Sequence, residues 1–90
     1  MAWRIEFQRD AERDLSKLGH ENAQRVLRFL HERVARLENP RSVGEALKGP
    51  DLSEFWKFRV GDVRIIADIQ DDIVQILVVR IGHRREIYRR

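Results

Sequence analysis

The chain contains no cysteine. Disulfide bridges and thiolate metal sites are therefore excluded, which fits a reducing, cytoplasmic setting. No apolar run is long enough to cross a membrane as a helix. The opening residues Met1-Ala2-Trp3-Arg4-Ile5-Glu6-Phe7 alternate where a signal peptide needs an unbroken apolar stretch. Neither a carboxylate cluster nor a histidine pair has metal-ligand spacing, so no metal or other cofactor is expected. Internal repeats and low-complexity segments are absent too.

What is present suits one domain over residues 1–90, built as one helical layer on one sheet. Of the residues, 42% are hydrophobic and 37% charged. The net charge of +3 is modest, but its placement is uneven. Arg80, Arg84, Arg85, Arg89 and Arg90 crowd the C-terminal end against the single acid Glu86, whereas the N-terminal half is nearly balanced. A local surplus of this kind points to an anion site more than to a generally sticky surface.

In chain order, Trp3, Ile5 and Phe7 alternate with Arg4 and Glu6 and predict a short strand. Ala11, Leu15 and Leu18 predict a helix over residues 9–18, with acids early, Lys17 late and Gly19 as its stop. Ala23, Val26, Leu27, Leu30, Val34 and Leu37 form the stripe of a second helix, from about Glu21 to Leu37, which leaves Phe29 off the apolar face. Asn39-Pro40 ends it. Residues 39–53, with Pro40, Gly44, Gly49 and Pro50, read as a long loop holding a helical turn near Ser42 to Leu47. Strands follow over 54–60 and 63–70. Asp71-Asp72 reads as a two-residue turn into a last strand from Ile73 to Ile81, which Gly82 closes. That turn sets Ala67 opposite Ile76 and Ile65 opposite Val78, with Val74, Ile76 and Val78 facing the core.

The clearest element is the hairpin about Gly61-Asp62, a pair suited to a type II′ turn. It places Trp56, Phe58 and Val60 on one face and Phe55, Lys57 and Arg59 on the other. Val60 then faces Val63, Phe58 faces Ile65, and Arg59 faces Arg64. Two arginines opposed on one sheet face repel each other. A phosphate between them would convert that repulsion into binding, because the guanidinium fork matches its oxygens. The expected architecture is α+β, in the order β-α-α-β-β-β. A two-helix hairpin covers one face of a mainly antiparallel four-stranded sheet, and the other face is open and cationic. A concave cationic sheet face with an aromatic at its edge suits a nucleic-acid strand.

These residues resemble the RelE/ParE superfamily of bacterial and archaeal toxins. The resemblance lies in the Leu47-Lys48-Gly49 turn, Trp56-Lys57-Phe58-Arg59, Val63-Arg64-Ile65-Ile66, and above all Ile81-Gly82-His83-Arg84-Arg85-Glu86-Ile87-Tyr88. It implies the RelE-like fold and a type II toxin–antitoxin pair, in which a small RelB-like antitoxin wraps the toxin. Its RelE branch cleaves mRNA in the ribosomal A site, in contact with 16S rRNA. The ParE branch poisons DNA gyrase and lacks the full cationic set. The RelE set falls here on Lys57, Arg59, Arg64, Arg84 and Tyr88, with His83 as a further titratable group. Operator DNA is implied only as a target of the toxin–antitoxin complex.

Metal-independent cleavage by the RNA 2′-OH needs a base, cations for the phosphorane charge and an acid for the leaving oxygen. Lys57 is the first candidate base, provided that Arg59 and Arg64 help to drive off its proton. Arg59 and Arg64 clamp the phosphate. Arg84 acts as acid or clamp, Tyr88 stacks or orients, and His83 is the second candidate acid or base. The products would be a 2′,3′-cyclic or 3′ phosphate and a 5′-hydroxyl. The bland alternatives are solvated strand residues for Lys57 and Arg59, solvated tail charge for Arg84, an edge lid for Tyr88 and a turn residue for His83.

Overall fold

The computed structural model describes residues 2–47 and 55–83. Strand β1 (Arg4–Phe7) leads into helix α1 (Arg9–Lys17). Asp10 and Glu12 lie in the first turn of α1 and Lys17 in its last, as the helix dipole favours. Its contact face is narrow: Ala11 is fully buried, and Leu15 and Leu18 pack partly on the core. Gly19 follows at φ 88°, a conformation that reverses the chain and that L side chains rarely adopt. Helix α2 (His20–Arg28) then starts.

The second helix does not run on as regular α-helix to Leu37. A π turn at Phe29–Arg33 and a 3-10 turn at Val34–Arg36 follow α2. Where the pitch changes, Val34 and its neighbour Ala35, which the counted stripe leaves out, are both buried. Phe29 is not exposed as expected. It is half-buried, and its ring meets Phe58 edge-on at 6.1 Å between centroids. The covered face is broader than the counted stripe.

Among the described residues the sheet has five strands in the order β1-β5-β4-β3-β2, one more than expected. The extra strand is β2 (Glu45–Ala46), where a helical turn was expected; the short helical turn lies earlier, at Pro40–Ser42. Strands β3 (Trp56–Val60), β4 (Val63–Gln70) and β5 (Gln75–His83) follow. β1 pairs parallel to β5, and the other pairings are antiparallel. Phe58, Ile65, Ala67, Ile69, Ile76, Val78 and Ile81 face Ala11, Val26, Leu30 and Val34 and form the core.

The β4–β5 register differs from the expected one. The turn is longer than Asp71-Asp72: a 3-10 turn spans Asp71–Ile73, and Val74 is left-handed at φ 52°. Val74 is therefore a turn residue packed against the core, not a strand residue. Gln70 pairs with Gln75, Ile69 with Ile76 and Ala67 with Val78. A register shift between Ile66 and Ala67 then leaves Val79 as the extra residue of a β-bulge, so Ile65 pairs with Ile81 and Arg64 with Gly82. The two-residue offset preserves the inward faces of Ile76 and Val78, and the bulge turns Ile81 inward.

β1 ends beside Val78, where Gln8 N donates to the Val78 carbonyl. Beyond that point Asp14 of α1 takes over the edge of β5. Its carboxylate accepts from Ile81 N at 2.9 Å and from Arg80 Nε at 2.8 Å. The hydrogen bond to Asp14 holds the Arg80 guanidinium more firmly protonated than usual. Asp14→Ala is expected to lower stability by about 1.5–3 kcal/mol, as loss of charge-assisted bonds does. Urea unfolding would show this as a lower midpoint at unchanged slope. At the opposite end of the sheet Arg41 donates to both Asp71 carboxylate oxygens, at 3.0 and 2.9 Å, and that bond holds the Asp71 carboxyl below the usual carboxylate range.

Candidate functional site

The site is built on the β3–β4 hairpin. Gly61 has φ 59° and Asp62 does not share the positive φ, as a type II′ turn requires. The pairing is the expected one: Val60 with Val63, Arg59 with Arg64, and Phe58 with Ile65. Because Phe58 and Ile65 anchor the core face, Lys57, Arg59 and Arg64 must project from the other. Arg59 is exposed. Arg64 is only 8% exposed, and its Nη1 donates to the Gly61 carbonyl at 3.1 Å. The bulge places Gly82, which has no side chain, across from Arg64; the straight register would place Ile81 there.

A cavity of about 280 Å³ opens on this face, lined by Gly44, Glu45, Lys57, Arg59 and Arg64. Glu45 is paired with Lys57 across β2 and β3, and its Oε1 lies 3.1 Å from Lys57 Nζ. Lys57 is mostly covered and Glu45 mostly open, with side chains 22% and 65% exposed. The approach of β2 depends on Gly44, at φ 80°. A Cβ there would run into the Lys57 carbonyl oxygen and come within 2.8 Å of the Trp56 indole nitrogen. That nitrogen donates to the Val43 carbonyl at 2.7 Å and ties the segment to β3. Gly44→Ala is expected to cost about 1–3 kcal/mol of stability through backbone strain and to pull Glu45 off Lys57. Thermal unfolding would measure the first effect, and NMR of the Lys57 side chain the second.

Three of the expected site residues, Lys57, Arg59 and Arg64, thus meet on one face. His83 does not join them. It is the last residue of β5, not a tail residue, and it pairs with Val63. Cross-strand partners share a face, so His83 lies on the side of Val63 and the helices, at the exposed end of the strand. Arg84 and Tyr88 lie outside the described residues, as does Lys48-Gly49. Glu45 is the residue that sequence reasoning missed. A two-residue strand leaves no readable alternation, and its neighbour Gly44 is the only local sign of a close backbone approach. Among the described residues no group of side chains could hold a metal ion, and no helix is long and apolar enough to cross a membrane.

Comparison with known proteins agrees with this fold. Residues 5–88 match the model of the ParE toxin of type II toxin–antitoxin systems. The chain belongs to the ParE toxin family. Within the wider RelE/ParE superfamily, this ParE-family chain is 31% identical over 90 residues to Toxin RelG of Mycobacterium tuberculosis, and the match covers 100% of both. It superimposes on the toxin–antitoxin complex RelBE2 of the same organism with a TM-score of 0.84 and 27% identity, over 96% of this chain and 95% of the other. A free E. coli RelE toxin variant shares the fold, with a TM-score of 0.76 and 23% identity over 94% and 86% of the two chains.

Proposed function

We propose that this type II toxin arrests translation as an endoribonuclease. It would cut mRNA, in the ribosomal A site, by metal-independent attack of the 2′-OH on the adjacent phosphate. The observation that carries this reading is the convergence of Lys57, Arg59 and Arg64 on one cavity. Opposed arginines are tolerable where an anion spends time between them, and a phosphorane carries more charge than the ground-state diester it replaces. Arg59 is free to swing onto a non-bridging oxygen. Arg64, tethered to the Gly61 carbonyl, supplies a fixed charge. Arg84 and Tyr88 would complete the site from the C-terminal segment, whereas His83 would contribute only if the RNA wrapped round the end of β5. The partner that silences the toxin would be a RelB-like antitoxin with an acidic or amphipathic segment; relatives of this fold form such complexes.

A gyrase poison is the second reading, because the matching family model is named for ParE. Purified protein added to translating ribosomes and, in parallel, to a gyrase supercoiling assay separates the two. Primer extension should show new 5′ ends inside the message, with supercoiling intact. Loss of supercoiling with intact message would select the gyrase reading.

A further inference from the structure

The cavity wall that faces Lys57 is carried by β2, which has two residues and lies at the edge of the sheet. So short a strand does not hold its own place. Much of its placement is set before it starts. Pro40 is fully buried, Asn39 Oδ1 accepts from Arg41 N at 3.0 Å, and the Asn39 carbonyl accepts from Ser42 N at 2.9 Å. From this closed turn Arg41 reaches across to the turn between β4 and β5. Its fork donates to both Asp71 oxygens, and Nη2 also lies 3.5 Å from the Ile69 carbonyl oxygen. The two side chains are 39% and 63% exposed, and exposed ion pairs add little to stability. A fork of two parallel bonds does something else: it fixes distance and angle together. Ser42, Val43 and Gly44 are the residues between Arg41 and Glu45, and Glu45 Oε1 lies 3.1 Å from Lys57 Nζ.

We propose that Arg41 and Asp71 are a remote positioning pair for the cleavage site: their clamp sets β2 against β3 and, through Glu45, the place of the Lys57 ammonium. This rests on the nuclease reading above. Neither residue lines the cavity, so both act through the segment that joins them to it. The bond from Trp56 Nε1 to the Val43 carbonyl holds the middle of that segment. With the clamp released, the segment turns about this point, and Gly44 and Glu45 shift along β3. Lys57 then loses the contact that aims it. A displacement of about 1 Å at a reacting group costs up to about 10²-fold in rate. The clamp therefore matters more to the rate of cleavage than to the stability of the fold.

The test compares the wild type with Asp71→Asn, Arg41→Lys and the exchange that combines Arg41→Asp with Asp71→Arg. Asp71→Asn removes the charge, and Arg41→Lys keeps the charge but cannot form the fork. Single-turnover cleavage of A-site mRNA on programmed ribosomes is measured with binding of the same message carrying 2′-O-methyl groups, which cannot react. Urea unfolding and amide NMR of each protein are recorded alongside. Each single variant should cut about tenfold more slowly, with binding of the unreactive message and the urea midpoint close to those of the wild type. The amides of Gly44, Glu45 and Lys57 should shift in both. The exchange should restore most of the rate and return those amides towards their wild-type positions. Single variants that both cut within about twofold of the wild type would overturn the proposal. So would a loss of rate matched by a fall in the urea midpoint or in binding, which is what a merely structural pair gives. An exchange variant no faster than the single ones would overturn it as well. A wild type that leaves the message intact would instead overturn the nuclease reading, and this proposal with it.

Discussion

Arg59→Thr is expected to slow message cleavage by about 10²–10³-fold while making the protein slightly more stable. The two effects have one cause. Arg59 faces Arg64 directly across the hairpin, so removing its charge relieves a like-charge contact worth about 0.2–1 kcal/mol. Threonine keeps the strand propensity, and Arg59 is exposed, so no cavity is created. During the reaction the same charge is needed to meet the phosphorane, and Arg59 is the β3 residue paired directly with Arg64. Single-turnover cleavage and urea unfolding of the same preparation check both halves. A variant that loses activity because it unfolds would show the opposite sign in the second measurement.

Phe58→Ala should have the largest effect on stability, a loss of about 3–5 kcal/mol. Phe58 is fully buried at the centre of the hairpin, packs edge-on against Phe29 and pairs with Ile65. Its removal leaves a cavity between the sheet and the π turn that a β-strand backbone cannot close. Domains of this kind are stable by only about 5–15 kcal/mol in total, so much of the margin would go. The expected fall in Tm is at least about 12 °C. Phe58 is also the inward neighbour of both Lys57 and Arg59, so the same packing that holds the sheet also aims the cations outward.

How far the residues alone specify this arrangement depends on turn chemistry. Gly61-Asp62 admits one short turn, and from it the pairing of Arg59 with Arg64 and the shared face of Lys57 follow directly. Asp71-Asp72 carries no such constraint. The turn actually used needs Val74 at positive φ, which a β-branched residue almost never adopts, so its length could not be read. The bulge at Val79 is likewise invisible in an apolar run, where every parity looks acceptable. It decides which way the end of β5 faces, and it sets His83, read from the sequence as a tail residue, on the side of Val63. Glu45 escaped notice because its strand is held by tertiary contacts of Gly44 and Trp56, not by any local pattern. The change of pitch after α2 has the same character. Leu30 and Val34 keep their spacing through it, so the stripe still looks regular.

The placement of RNA on the protein can be measured without relying on catalysis. An unreactive 2′-O-methyl RNA titrated into ¹⁵N-labelled protein should shift amide resonances of Gly44, Glu45, Lys57, Arg59 and Arg64 and leave those of α2 in place. Shifts confined to Arg25, Arg28 and Arg33 on the helical side, with the β3–β4 hairpin unmoved, would contradict the account.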